Sequence, residues 1–194
     1  EEDRLINKKL GTKLANLISK ELGVKKSNII DFDLCLYDCQ ESTLIGIDQE
    51  FVSSGRLDNL ASSLVGLHAL INDCKNIDNQ TSINFVAMFD NEEIGSNSYQ
   101  GADSEFFGRN LERIFLTTDK KSEEKNFNGD EFMAICSRIF VISADMAHGS
   151  HPNYPEKHQS EHRPYFHEGI VIKVNPNMRY ATDSEGSSIL KEVA

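Results

Sequence analysis

Apolar positions near the start of the chain recur in steps of three and four. In "RLINKKLGTKLANLISKELG", Leu10, Leu14, Leu17, Ile18 and Leu22 mark one face of a helix, and Gly23 supplies its C-terminal stop. The period then drops to two. In "NIIDFDLCLYD", Ile30, Phe32, Leu34 and Leu36 alternate with Asp31, Asp33, Cys35 and Tyr37, which predicts a half-buried strand. Residues 40–50 read as a connection, and from Phe51 onward buried strands and helices alternate. "RLDNLASSLVGLHALIND" sets Leu57, Leu60, Leu64, Leu67 and Ile71 on one helical stripe, with Asp58 or Asn59 able to cap its start. His68 lies on the apolar side of that helix and reads as a satisfied core residue. "SINFVAMF" is bulky on both faces, as a central strand covered on each side requires. "DSEFFGRNLERIF" and "EFMAICSRI" predict two more helices, separated by the charged stretch "TTDKKSEEKNFNGD" as a solvated loop. "FVISAD" and "IVIKVN" predict further buried strands, and "SEGSSILKEVA" a final helix. From Met146 to Gly169 histidines are interleaved with prolines, so that stretch predicts loop rather than long helix.

Alternating strands and helices predict an α/β fold. Composition narrows the partners. The chain has 194 residues and a formal net charge of −11, which argues against a phosphate-backbone binder, because nucleic-acid affinity rests on clustered Lys and Arg. Its longest apolar runs fall far short of the roughly 18 residues that mark a membrane span, and "EEDRLINKK" lacks the apolar stretch of a signal peptide. The expectation is a soluble, unsecreted chain with neither nucleic acid nor membrane as partner. Cys35, Cys39, Cys74 and Cys136 form no CxxC and show no metal or disulfide spacing, so they read as reduced and mostly buried thiols.

The acids are placed in a way that composition alone does not explain. Asp58 stands at a helix start, Asp90, Glu92 and Glu93 follow the run "INFVAMF", and Asp145 ends "FVISAD". In open α/β sheets ligands sit beyond the carboxyl ends of strands, so acids far apart in sequence can meet there. Converging carboxylates repel, and one or more must protonate unless a cation compensates. Carboxylates and imidazoles suit zinc or manganese, and two ions about 3.5 to 4 Å apart make a recognised hydrolytic arrangement. Adjacent Glu92 and Glu93 can then divide the work between proton transfer and metal binding. The competing reading of each acid is an ordinary loop or cap residue.

Four stretches together carry a resemblance: "GRLDNL", "FDNEEIGSNSYQGADS", "SADMAHGSHPNYPEKHQSEHRP" and "GIVIKVNPNMRYAT". In this order they resemble the aspartyl aminopeptidases, cytosolic dinuclear metallo-exopeptidases, over nearly the whole chain. The resemblance implies a mixed, mostly parallel sheet with helices on both faces in residues 51–194, and the tail end of an inserted dimerisation domain in residues 1–50. It implies two divalent ions, zinc first, with manganese or cobalt as alternatives. Asp58 would bridge both ions, Glu93 would bind one, Asp145 the other, and Glu92 would be the general base. The bond between Asp58 and Asn59 would be cis. Lys173 and Tyr180 would recognise an acidic first side chain, and a cation beside a phenol suits that task because a carboxylate would otherwise be buried unpaired. His148 and His162 would neighbour the pocket and orient substrate or ligands, while His151, His158 and His167 have no assigned role. The implied substrates are peptides with an N-terminal acidic residue, and the implied assembly is a cytoplasmic homo-oligomer, a tetrahedral dodecamer.

Two departures qualify that expectation. The resembling enzymes use one metal-binding histidine upstream of a large insertion and another near the C-terminus, and neither motif occurs here. The chain therefore reads as an internal piece of a longer protein, expected to bind zinc weakly and to be nearly inactive alone. Separately, "HQSEH", His158 to His162, matches the H-x-x-E-H signature of inverted zincins. That motif needs one continuous helix, whereas Pro155 and Pro164 flank it closely. Three further readings remain: a related dinuclear aminopeptidase or deacylase of other specificity, a catalytically inactive scaffold of the same fold, and a metal-free acidic interaction module.

Overall fold

The computed structural model describes residues 8, 10–118 and 129–194, so the charged loop expected at 117–130 lies mostly outside the described residues. The chain divides into two compact units, Glu1–Gly55 and Arg56–Ala194.

In the first unit the predicted helix forms as α1, Thr12–Leu22. Gly11, at φ 75°, precedes it, and Gly23, at φ 64°, follows it in the left-handed conformation that glycine adopts without a Cβ penalty. The Gly23 amide donates to the Lys20 carbonyl and the Val24 amide to the Ser19 carbonyl, which satisfies two otherwise orphaned helix-end acceptors. The residue that α1 buries completely is Ala15, while Leu14, Leu17 and Leu22 stay exposed.

Two short strands follow, β1 (Thr43–Ile45) and β2 (Phe51–Ser53), paired antiparallel with Leu44 opposite Val52. A hydroxyl contact of 2.6 Å between Ser42 and Ser54 closes the open end of this hairpin. β2 pairs with β1, and both lie in the unit that ends at Gly55. The strand expected over "NIIDFDLCLYD" has no ladder, and Ile30 and Leu36 are almost wholly exposed. Period-two alternation encodes which face a side chain takes and not which strand it pairs with, and without a partner the alternation has nothing to stabilise.

The second unit carries α2 (Leu57–Asp73), α3 (Glu105–Thr118), α4 (Gly129–Cys136) and α5 (Ser184–Val193). Both α2 and α3 meet the apolar segment 82–89. A Cβ added at Gly66 of α2 would stand 3.5 Å from Val86, so α2 meets that residue. Phe107 of α3 meets Phe85 and Phe89, with ring centroids 5.5 and 5.9 Å apart. Leu111 of α3, 7 % exposed, is the buried hydrophobic residue described in this unit. Phe115 and Phe132, 5.9 Å apart, join α3 to α4. The side chains of Gln80 and Asn84 donate to the carbonyl and carboxylate of Asp73, which fixes the end of α2 to the chain entering the apolar segment.

The mostly parallel sheet is not reproduced as a ladder. Among the described residues the sheet is the two-stranded β1–β2 pair, and 82–89, 140–145 and 170–175 run without strand hydrogen bonds. Apolar composition marks these segments for burial but cannot supply the backbone partners on either edge. Two smaller expectations also change. His68 is exposed rather than in a core, and Cys35, Cys39 and Cys74 are free and exposed, with Cys136 half-buried. No described helix is long and apolar enough to cross a membrane.

Candidate metal centre

Asp58 enters the site through an irregular helix start. α2 follows Arg56, which holds φ 61°, and Asp58 and Asn59 both depart from helical angles inside its first turn. The peptide bond between them is cis, as the resemblance implied. Neither side chain caps the helix. The Asn59 side-chain amide instead donates to the carbonyl of Ala144 at 2.9 Å, across 85 positions of sequence. This contact sets the start of α2 against the end of "FVISAD", where Asp145 follows.

Asp58 and Asp145 meet through a side-chain hydrogen bond, and its effect on the two is opposite. The bond to Asp145 pushes the Asp58 carboxyl above its ordinary value; desolvation and the negative charges of Asp145 and Glu93 push the same way, against Lys173. Asp145 is held below its ordinary value, first by its hydrogen bond from Lys173. Of the two, Asp58 is the more readily protonated and Asp145 the more readily ionised. The Lys173 Nζ donates to Asp145 Oδ2 at 2.8 Å, and this contact pushes the lysine above its ordinary value. The same Nζ stands 5.9 Å from the centre of the Tyr180 ring.

Of the residues singled out from the sequence, the structure therefore brings together Asp58, Asp145, Lys173 and Tyr180, with Glu93 close enough for its charge to act on Asp58. Glu92 and Glu93 lie in the turn after the apolar segment, where Asn91 takes φ 65° and the Asn91 side chain donates to Ser98. Glu92, His148 and His162 are exposed and stand outside the hydrogen-bonded set. Lys173 was expected to face a substrate carboxylate, and it is bonded to the protein's own Asp145. The sequence offers Asn59 as a possible cap and as the partner of Asp58 in a cis bond, not as a tie to Ala144; the signal that could have flagged that tie is its place beside a candidate ligand. His158 is extended and Ser160–His162 is a single 3₁₀ turn, so the two histidines of "HQSEH" share no helical face and the inverted zincin arrangement is absent.

The chemistry of these donors suits a divalent cation. Two aspartates brought this close are hard oxygen donors whose negative charges repel, and a cation between them would relieve that repulsion. Among the described residues no three of His, Cys, Asp and Glu stand together closely enough to hold an ion by themselves. The pair fits as part of a ligand set.

The chain belongs to the aminopeptidase I zinc metalloproteases (M18), a family whose sequence pattern it matches over residues 1–194. It is 45 % identical over 167 residues to the aspartyl aminopeptidase of Aspergillus oryzae, covering 84 % of this chain and 33 % of that protein. It is 44 % identical over 166 residues to aspartyl aminopeptidase 4 of Saccharomyces cerevisiae, covering 84 % of this chain and 34 % of the relative. Its fold matches the structure of the S. cerevisiae mApe1 dodecamer with a TM-score of 0.77 at 32 % identity, over 94 % of this chain and 40 % of that one. The architecture is thus of the α/β kind found in that family. The chain spans about a third of the length of the curated relatives it matches.

Proposed function

We propose that this chain supplies the carboxylate half of the active centre of a zinc-dependent aminopeptidase that removes N-terminal Asp or Glu from peptides. The observation that carries this reading is the meeting of Asp58 and Asp145 from segments 87 positions apart, with Lys173 on the second of them. The names of the aspartyl aminopeptidases it resembles support the acidic specificity.

In this reading Asp58, Glu93 and Asp145 would be the residues of this chain that hold two divalent ions, zinc first. When bound, the ions lower the pKa of water and polarise the peptide carbonyl. Glu92 accepts the proton of the attacking water and returns it to the leaving amine. Lys173 and Tyr180 form the wall that takes the acidic side chain: Lys173 keeps two N–H donors beyond the one on Asp145, and Tyr180 adds a phenolic donor. His148 and His162 orient substrate from the proline-rich loop. The enzyme is a soluble, cytoplasmic homo-oligomer, a dodecamer like the mApe1 assembly. The segments 82–89, 140–145 and 170–175 belong to a mostly parallel sheet, and residues 1–50 to an inserted dimerisation domain.

The test compares Asp-first and Leu-first peptides with the protein at its natural full length and zinc supplied. Asp-first cleavage is expected, lost when the α-amine is acetylated and lost with a chelator. Glu92→Gln should lower kcat by about 10²- to 10⁴-fold while zinc content stays the same. Equal cleavage of both peptides would remove the specificity. No cleavage by a zinc-loaded protein would leave the inactive scaffold.

A further inference from the structure

Two segments carry the aspartates of the candidate centre, and each could slide relative to the other unless something fixes their spacing. Asp58 lies in the irregular first turn of α2, and Asp145 ends an extended segment that has no ladder partner. No sheet hydrogen bond therefore sets the position of Asp145 among the described residues. Apart from the contact between the two like-charged carboxylates themselves, what crosses between the two segments is the 2.9 Å bond from Asn59 Nδ2 to the Ala144 carbonyl. Both of its ends are one residue from an aspartate, so a shift of either segment stretches it directly. Lys173 holds Asp145 from a third segment, and this restrains the carboxylate without tying it to Asp58.

We propose that Asn59 is a positioning residue that sets the spacing of the Asp58 and Asp145 carboxylates through its bond to Ala144, and thereby sets metal affinity. The inference rests on the reading of these aspartates as zinc ligands. The chemistry demands an amide at this position. Ala144 offers an acceptor, so the side chain must donate, and only the amide of Asn does so at this length; an isosteric Asp would put a second acceptor against the carbonyl. Partners one step removed from a metal that orient its ligands are typically worth 10- to 100-fold in affinity.

The experiment uses the full-length protein with zinc, titrated against a competing chromogenic chelator, and repeats the binding with cobalt(II) to read the visible absorption of the site. Asn59→Ala and Asn59→Asp should each weaken zinc binding by about 10- to 100-fold. Both should also alter the cobalt spectrum, with the metal-free melting temperature little changed, because Asn59 is exposed. Asp58→Asn serves as the control for the reading beneath. If wild type binds stoichiometric zinc, Asp58→Asn loses it and the Asn59 variants match wild type in affinity and spectrum, the positioning role is overturned while the metal site stands. If wild type takes up no zinc, or Asp58→Asn binds as tightly as wild type, the metal reading itself fails and the inference falls with it. Variants that lose thermal stability yet keep wild-type affinity in their folded fraction would make Asn59 a merely structural contact, which also overturns the proposal.

Discussion

At the scale of single residues, the charge on Lys173 is answered by one aspartate of a pair that cannot both ionise cheaply. Asp145 has its pKa lowered chiefly by Lys173, so it contributes stability above its ordinary value of 3.8 and loses that contribution as pH falls through its lower folded value. Lys173 has its pKa raised by Asp145, so its share is complete below its ordinary 10.5 and is lost as pH climbs through its higher folded value. Asp58, raised by its bond to Asp145, works the other way: its contribution is present below 3.8 and is withdrawn as pH rises through its folded value. The ion pair therefore acts over the whole neutral range. With Lys173 32 % and Asp145 49 % exposed, solvent screening keeps its worth at about 0–1 kcal/mol. In the presence of chelator, Lys173→Met should melt slightly below wild type at pH 7. That gap should shrink with added salt and close as the pH is taken well below 3.8. A gap that persists unchanged into strong acid would mean that the lysine stabilises by packing of its stem and not by charge. The sequence placed both residues in the site but not on one another, because nothing in "VIKVN" records that an aspartate 28 positions earlier is its nearest acceptor.

Single elements show where the local code suffices. α5 begins at Asp183, whose Oδ1 accepts the Gly186 amide at 2.7 Å, the bond expected of an N-cap aspartate. Asp183→Ala should cost about 1 kcal/mol of stability in urea denaturation, and Asp183→Ser, which keeps an acceptor, much less. An equal loss in both would place the effect in something other than the cap. α1 was similarly legible, since its apolar period and Gly23 lie within a few residues of the bonds they make. α2 was legible along its length but not at its start, because Asn59 spends its amide on Ala144 instead of the helix end. Strands were the weak point. "NIIDFDLCLYD" carries the clearest alternation in the chain and forms no ladder, while β1 and β2 form one with only three residues each, β1 in a stretch read as a connection. A helix closes its hydrogen bonds within its own sequence, and a strand borrows them from elsewhere, so alternation alone settles neither partner nor register. The site followed the same division. Asp58 and Asp145 were readable as acids at element ends, and their mutual contact and the Asn59 tie were not, since both depend on distances between remote segments.

At the scale of the whole molecule, two forces compete over what the 194-residue chain does alone. The buried apolar side chains among the described residues are Ala15 and Leu111, and Ile30, Leu36, Ile47 and Ile94 stand almost entirely in water. Monomeric proteins seldom leave contiguous apolar patches beyond a few hundred Å² uncovered, and burial returns about 25 cal/mol per Å². The net charge of −11 opposes association by like-charge repulsion. Salt decides between them. At 0.15 M ionic strength charges more than about 8 Å apart are largely screened, whereas apolar attraction is not screened and is strengthened by sulfate. The 194-residue chain should therefore stay dispersed at low salt, self-associate at physiological salt, and do so further in sulfate. If the proposed homo-oligomer covers these same faces, the protein at its natural full length should keep one discrete mass throughout. Sedimentation across the salt series, with a hydrophobic dye as a second readout, distinguishes the two. A chain that remains a dye-silent monomer in sulfate would show that its apolar residues are too dispersed to form an adhesive face, and would remove the physical argument that they are covered by assembly.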